Sequence, residues 1–200
     1  AEWFWGRWFA TGLGYWGITM TVMAWVTTRS LPPAMIIFGA MHAIVSVCLG
    51  GEKMAAIFDA KPAWRERWKL DEQGVIRVRK SVTRAASSLP ALIMFALAPR
   101  EGQMVLGLTA FALALIGFGG ILAARTYGVV TLAAAGVVTA VLVLVGHTPD
   151  NVFAVYQYAP FGGDGGAALT PLLGGFAALL LVGAALPFVK PMAAYVVRRR

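Results

Sequence analysis

One histidine lies in the middle of an uncharged segment, and its chemistry is the most distinctive in the sequence. His42 stands within residues 30–51, which contain no Asp, Glu, Lys or Arg. A neutral imidazole in such a segment can ligate a haem or a chlorophyll-type pigment, and an ionisable residue inside a membrane span indicates a functional site. The simpler interpretation is that His42 makes one interhelical hydrogen bond and packs against a neighbouring helix. His42 is therefore the candidate cofactor-binding residue, with haem or pigment as the cofactor it would suit.

Other catalytic chemistry has little support in the residue inventory. The chain has one cysteine, Cys48, and two histidines, and no acidic residue is close to His42 in sequence. Acid–base, nucleophilic or metal catalysis needs paired or clustered groups of these types. His147, Asp150 and Asp164 lack the dense oxygen-ligand spacing of a calcium loop. The sequence predicts neither an enzyme nor a metal site.

A second group of residues is suited to a membrane surface or a docked partner. Indole rings favour the headgroup layer, and two tryptophans spaced i and i+4 in residues 62–68 would share one face of an interfacial helix. Basic side chains close to a membrane attract anionic lipid. The interface or docking candidates are Trp3, Trp5, Trp8, Trp64, Trp68, Arg77, Arg79 and Lys80.

The basic segment 51–81 permits two local structures after its tryptophans. Asp71-Glu72-Gln73-Gly74 is typical of a turn, and residues 75–79 (VIRVR) alternate as a short strand would. The alternative is a small hairpin in which residues 68–70 pair with residues 75–77. Either element could dock a partner protein, and contact with lipid accounts for the charges equally well.

The composition indicates that these residues belong to a membrane protein. The hydrophobic set makes up 59% of the 200 residues, glycine adds a further 23 residues, and only 13% are charged. Ordinary globular chains have about 25% charged residues. A water-soluble protein is thereby excluded, and we expect an all-α integral membrane protein forming one polytopic domain over residues 1–200.

Uncharged windows locate the spans, because a helix needs roughly 20 apolar residues to cross a bilayer. Six transmembrane helices are predicted, at residues 8–28, 31–50, 82–99, 103–124, 126–146 and 167–189. The third is the shortest window, and it spans only if Arg84 extends toward the headgroups. A cytoplasmic basic loop at 51–81 and an outer loop at 147–166 connect them.

The positions of Lys and Arg determine the predicted orientation. With six spans and both termini cytoplasmic, only Arg29 and Arg100 of the 17 basic residues fall on the outer side, as the positive-inside rule requires. Without the third span, Arg125 and the C-terminal basic residues would lie on opposite sides. Alanine, glycine and arginine usage favours a bacterial inner membrane, and the basic charge is assigned to anionic lipid rather than to nucleic acid.

Function is predicted only at the level of class. Stripes of small residues four apart, such as Gly39 with Ala43 and Gly136 with Ala140, favour close helix packing. The leading hypothesis is a non-catalytic integral-membrane subunit of a larger secretion, transport or electron-transfer assembly, with other membrane subunits as partners. One alternative is a small homo-oligomeric channel or facilitator for neutral solutes. A second alternative is a haem- or pigment-binding subunit that uses His42.

Overall fold

The computed structural model describes residues 5–59, 62–96, 103–145 and 164–198, and all regular structure in these ranges is α-helical. Eight helices are described within them. Their bounds are α1 Gly6–Thr28, α2 Pro33–Gly50, α3 Glu52–Asp59, α4 Pro62–Trp68, α5 Glu72–Ala96, α6 Met104–Leu122, α7 Thr126–Val145 and α8 Asp164–Arg198.

Four of these helices are long and apolar enough to cross a membrane: Pro33–Gly50, Met104–Leu122, Thr126–Val145 and the Leu169–Ala194 part of α8. Large aliphatic side chains on them face outward, among them Val47, Val105 and Leu144. A protein with such an exterior is stable only in an apolar solvent. The chain is therefore an all-α, multi-pass integral membrane protein. The predicted spans at 8–28 and 82–99 lie largely on α1 and α5, which are not among the four.

The centre of the protein is a ring of four helices in which α5 packs on α6 and α8, and α7 packs on α6 and α8. Leu92, Leu132, Leu173 and Leu181 point into this ring and are fully buried. Helices α6 and α7 are joined by a short turn at residues 123–125, with Ala124 in the left-handed conformation (φ 51°). A Cβ at Gly128 would collide with the α6 backbone beside this turn, so glycine is what allows the two helices to meet there.

Helices α1 and α2 lie outside the ring. Helix α1 packs on α5 and more lightly on α8, whereas α2 contacts chiefly α1. Small residues allow this approach: a Cβ at Gly17 would collide with the His42 ring, and one at Gly39 would meet Thr21. Glycines 136 and 174 likewise lie against neighbouring helices, but Gly50 and Gly119 face open space. The predicted small-residue stripes at Gly39 and Gly136 therefore form helix contacts.

The structure corrects the expected local fold of segment 51–81. Residues 75–79 form neither a strand nor half of a hairpin, because they belong to the first turns of α5. Val75, Val78 and Val82 are buried, and their spacing of three and four is helical. The expected turn at 71–74 is the start of this helix, where the Gly74 amide donates to Oδ1 of Asp71 at 2.6 Å, as an N-cap does.

Helix α5 therefore begins ten residues before the predicted span and carries basic residues on its first three turns. The helical interpretation of residues 62–68 is confirmed by α4. Most of the predicted outer loop at 147–166 lies outside the described residues.

Candidate functional site

Helix α1 contributes a polar stripe to the face it turns toward α5. Arg7, Thr11, Tyr15 and Thr19 are each four residues apart, so they lie one above another along the helix. With a rise of 1.5 Å per residue, the stripe is about 18 Å long. All four side chains line one cavity.

Helix α5 forms the facing wall with Arg79, Lys80, Thr83, Arg84 and Ser87. A Cβ at Gly12 of α1 would lie 2.5 Å from the Thr83 carbonyl oxygen, so glycine brings the two helix backbones into contact. The Ser87 hydroxyl donates to the Gly12 carbonyl at 2.7 Å. These contacts fix the register of the two polar stripes.

Helix α8 supplies the third wall through Phe176 and Leu180. One turn further along α8, the Gly183 carbonyl accepts a hydrogen bond from the Arg84 guanidinium at 2.5 Å. Pro187 lies four residues after Gly183 in the same helix and has no amide N–H to donate to that carbonyl. Arg84 therefore satisfies a backbone acceptor that proline leaves unpaired, and the bond holds its charge inside the bundle.

The resulting cavity, which we call the basic groove, has a volume of about 570 Å³, within the range typical of small-molecule sites. None of its lining residues is acidic, and four are cationic. The lining comprises Arg7, Trp8, Thr11, Tyr15, Thr19, Gly50, Arg79, Lys80, Thr83, Arg84, Ser87, Phe176 and Leu180.

A buried ion pair closes one end of the basic groove. Arg7 is 6% exposed and pairs with Asp59, the last residue of α3. Asp59 also accepts a hydrogen bond from the Trp8 indole N–H at 3.0 Å, and Arg7 donates to the Leu49 carbonyl at 2.8 Å. Asp59 thus neutralises Arg7 and ties α3 to the start of α1.

The remaining cations are less fully compensated. The Arg79 guanidinium lies 3.9 Å from the same Asp59 carboxylate, which is already engaged by Arg7. Lys80 pairs with no carboxylate in the part of the chain that the structure describes. Since like charges close together repel each other, this arrangement favours an anion between Arg79, Lys80 and Arg84.

The predicted interface residues occupy different surroundings. Trp8 is 1% exposed and meets Trp64, itself 6% exposed, edge to face at 5.8 Å, so both indoles lie inside the protein rather than on a lipid-facing surface. The buried Trp8 indole N–H is satisfied by its hydrogen bond to Asp59. Trp5 packs on Phe9.

The other candidates divide between the core, the surface and the basic groove. Trp68 is partly buried against the core. Arg77 is half-buried and does not line the basic groove, whereas Arg79 and Lys80 are exposed and do. Trp3 lies outside the described residues. The structure thus separates two members of the predicted basic patch from the third.

His42 lies between α1 and α2, away from the basic groove. Its Nδ1 is 2.8 Å from the Phe38 carbonyl oxygen, and since a carbonyl only accepts, Nδ1 carries the proton. The ring lies 4.2 Å from the Phe38 ring and directly over Gly17. In the described residues the His42 ring thus packs against Phe38 and Gly17, and Nε2 is the ring nitrogen that could bind a ligand.

The sequence predicts that Arg84 extends toward the headgroups, counts Arg7 only as one of 17 basic residues, and does not single out Asp59. A signal was available, because Asp59 is a lone carboxylate after the apolar run 54–58 (MAAIF), and a buried carboxylate requires a basic partner. Which cation it would meet depends on the tertiary fold. Comparison of this chain with protein-family models, curated protein sequences and solved structures finds no significant match.

Proposed function

We propose that this protein is a non-catalytic, multi-pass protein of a bacterial inner membrane that binds a phosphate-type anion in the basic groove. The observation that carries the proposal is the cluster of four cations in a cavity with no acidic lining residue. The hydroxyls of Thr11, Thr83 and Ser87 line the same cavity, but each already donates its proton to a backbone carbonyl, so the cations supply the hydrogen bonds to the anion. Arginine suits phosphate because its planar fork can donate two bonds to one anion.

The proposal includes the six-span topology with both termini cytoplasmic. Helices α1 and α5 would then cross the membrane beside the four strongly apolar helices, and the cationic end of the basic groove would lie at the cytoplasmic leaflet. That leaflet carries anionic lipid and a negative surface potential. An arginine at the centre of a span costs roughly 2.5–3.5 kcal/mol on insertion scales. Arg84 lies near the start of its predicted span and would bear only part of this cost, which a bound anion and the Gly183 carbonyl would offset.

Binding is tested with the purified full chain in nanodiscs of zwitterionic lipid. Inorganic phosphate is added to one set, phosphatidic acid is included in another, and binding is followed by the fluorescence of the tryptophans, one of which, Trp8, lines the basic groove. We expect Lys80→Gln and Arg84→Gln each to weaken binding about tenfold, the low end for a hydrogen bond to a charged group.

The matched control is Arg77→Gln, which removes a cation from the same helix but not from the basic groove. It should leave binding unchanged. If neither probe binds, or if Arg77→Gln weakens binding as much as Lys80→Gln, the basic groove is not an anion site.

We further propose that the protein is a subunit of a larger membrane assembly, because α2 is the least covered of the apolar helices. Only 11% of its membrane-spanning window is buried, compared with 39% for each of the other three. A helix of a second membrane protein packed on α2 would equalise this burial.

Native mass spectrometry of the protein extracted from its own membranes tests the subunit proposal. A different polypeptide at fixed stoichiometry is expected, and it should be lost in Val47→Trp on α2 but retained in Val105→Trp on α6, since the two valines are 77% and 74% exposed. A homo-oligomer with only lipid attached would contradict the proposal and favour the channel alternative.

A further inference from the structure

Charge is unevenly distributed along the basic groove. Contacts between α1 and α5 show which turns of the two helices lie side by side. The Thr83 hydroxyl donates to the Trp8 carbonyl at 3.4 Å, and the Ser87 hydroxyl donates to the Gly12 carbonyl. Arg79, Lys80 and Arg84 precede Ser87 on α5, so the cations lie at the end of the groove formed by the first turns of α1. No lining residue at the other end is charged.

The uncharged end is formed by Tyr15, Thr19, Phe176 and Leu180. Trp16, the neighbour of Tyr15, has its ring centroid 6.1 Å from that of Phe176, which places this wall two turns deeper than the Trp8 level. Under the proposed topology, depth increases from Arg7 toward Thr19. The basic groove therefore changes from cationic to neutral over about 18 Å, from the leaflet surface into the hydrocarbon.

A small soluble anion would fill only the cationic end of such a cavity. An amphiphile would fill both ends, with its headgroup among the cations and its chain against Phe176 and Leu180. Tyr15 is 49% exposed, so the wall on this side is open to the surroundings rather than sealed by protein. A lipid chain could therefore enter sideways from the bilayer.

The charge of the site favours one class of headgroup. With Arg7 neutralised by Asp59, three cations remain, and Arg79 is only distantly paired. A phosphomonoester carries about −1.5 to −2 charges at neutral pH, whereas a phosphodiester carries one. The monoester compensates the three cations more fully and offers them more oxygens to bind.

We infer that the ligand of the basic groove is a lipid with a phosphomonoester headgroup, drawn from the cytoplasmic leaflet. This inference rests on the proposed anion-binding function and specifies its ligand. The phosphate lies among Arg79, Lys80 and Arg84, and one hydrocarbon chain runs along Phe176 and Leu180.

The experiment separates the chain-binding end from the phosphate-binding end. Full-length protein in non-ionic detergent is titrated with equimolar phosphatidic acid, phosphatidylglycerol and phosphatidylcholine, and bound lipid is counted by native mass spectrometry. Leu180→Trp fills the deep end, and Thr19→Leu does so more mildly. Leu179→Trp is the matched control, because Leu179 is 76% exposed and does not line the basic groove.

For the unmodified protein we expect phosphatidic acid to be favoured over phosphatidylglycerol by about fivefold, as an additional partial charge near basic residues allows. Leu180→Trp should reduce bound phosphatidic acid about tenfold, the effect of overfilling a packed site, and Thr19→Leu should reduce it less. Leu179→Trp should have no effect. Both deep-end variants should keep the unfolding temperature and the phosphate binding of the unmodified protein.

Three results would overturn the inference: equal binding of the two anionic lipids, equal losses in Leu180→Trp and Leu179→Trp, or full displacement of phosphatidic acid by millimolar inorganic phosphate. The proposed anion site would survive any of them, provided that Lys80→Gln still weakens the binding of inorganic phosphate. Failure of Lys80→Gln to affect either ligand would instead reject the anion site itself.

Discussion

Asp59 determines the electrostatics of the basic groove although it is not one of the residues lining it. It pairs with Arg7, accepts from Trp8 and lies 3.9 Å from Arg79. A buried carboxylate with three donors is well compensated. Without Asp59, Arg7 would be a buried charge with no counter-charge. One acidic residue thus determines which cations remain for a ligand.

We predict that Asp59→Asn lowers the free energy of unfolding by about 3–5 kcal/mol, because Arg7 would remain buried without a counter-charge. Unfolding of the full chain in detergent measures the change. Glu52→Gln, at an exposed position of the same helix, is the control and should have little effect. Equal stability of the two variants would show that the Arg7 pair contributes nothing to folding.

The His42 ring can be tested by changing the glycine beneath it. Gly17→Ala should disrupt α1–α2 packing, because the new Cβ would overlap a ring that is fixed by its bond to the Phe38 carbonyl. His42→Ala in the same chain should restore much of the lost stability, as expected for two residues in contact.

Gly50→Ala is the matched control for this pair, because a Cβ at Gly50 would face open space. Stability and visible absorption are measured together. If His42→Ala does not restore the stability lost in Gly17→Ala, and if it abolishes a visible absorption band, the haem or pigment alternative for His42 would be favoured over a packing role.

The residues of the site were only partly predictable. Arg79 and Lys80, two of the predicted docking residues, are exposed and line the basic groove, but Arg77 beside them belongs to another face of α5. Sequence alone does not show this, because the strand interpretation places residues 77 and 79 on the same side and the helix interpretation separates them. Because the sequence assigns residues 75–79 to a strand, it does not group Arg79 and Lys80 with Arg84, which lines the same cavity.

At the scale of elements, α5 was the most difficult helix to predict. Arg77, Arg79 and Lys80 resemble loop residues when hydropathy is averaged along the chain, yet the buried residues Val75 and Val78 continue the apolar face of the deeper helix. Charged residues on one face and valines on the other are compatible with a helix at a membrane surface. Helices α2, α6 and α7 have no such conflict, and their predicted bounds agree with the structure within two residues.

The bond between α5 and α8 predicts a specific coupling between Arg84 and Pro187. Arg84→Met should destabilise the protein, because it leaves the Gly183 carbonyl without a donor. In a Pro187→Ala background, residue 187 regains its N–H and can satisfy that carbonyl within α8. Arg84→Met should therefore cost about 1 kcal/mol less there, within the range of membrane hydrogen bonds.

A double-mutant cycle measured by reversible unfolding in mixed micelles supplies this number. Pro191→Ala, another proline of α8, is the control background in which the cost of Arg84→Met should not change. Strict additivity of Arg84→Met with Pro187→Ala would mean that the two residues do not share an acceptor.

At the scale of the whole molecule, composition predicted a multi-pass helical membrane protein but not how its helices pack. Hydropathy ranks each helix separately, whereas the ring of α5, α6, α7 and α8 depends on which faces meet. The strongly apolar α2 lies at the periphery and the basic α5 lies at the centre, the reverse of what burial by hydropathy would suggest. Position in this bundle follows from small residues and polar contacts more than from hydrophobicity.

The six-span topology predicts which positions can be labelled from each side. Replacing Cys48, the single cysteine of the chain, with serine allows new cysteines to be introduced one at a time. Cysteines at Lys53 and Arg125 should react with a membrane-impermeant maleimide only in inverted vesicles, and one at Ser30 only in intact cells.

Gln103, between α5 and α6, tests whether α5 crosses the membrane. A cysteine introduced at position 103 should react with the impermeant maleimide from the outside, as should the cysteine introduced at position 30. Labelling of position 103 from the cytoplasmic side would remove α5 from the spans and would place the basic groove differently from the proposal.

The bond from Arg84 to Gly183 joins residues that are 99 positions apart, and this separation imposes a delay during biosynthesis. At about 5–20 residues per second, a ribosome makes Gly183 roughly 5–20 s after Arg84. For that interval α5 lacks the carbonyl that later binds its deepest cation, and α5 is not apolar enough to count among the four clear spans. If α5 crosses the membrane as proposed, the bond that holds Arg84 inside the bundle therefore forms only after the last helix has been made.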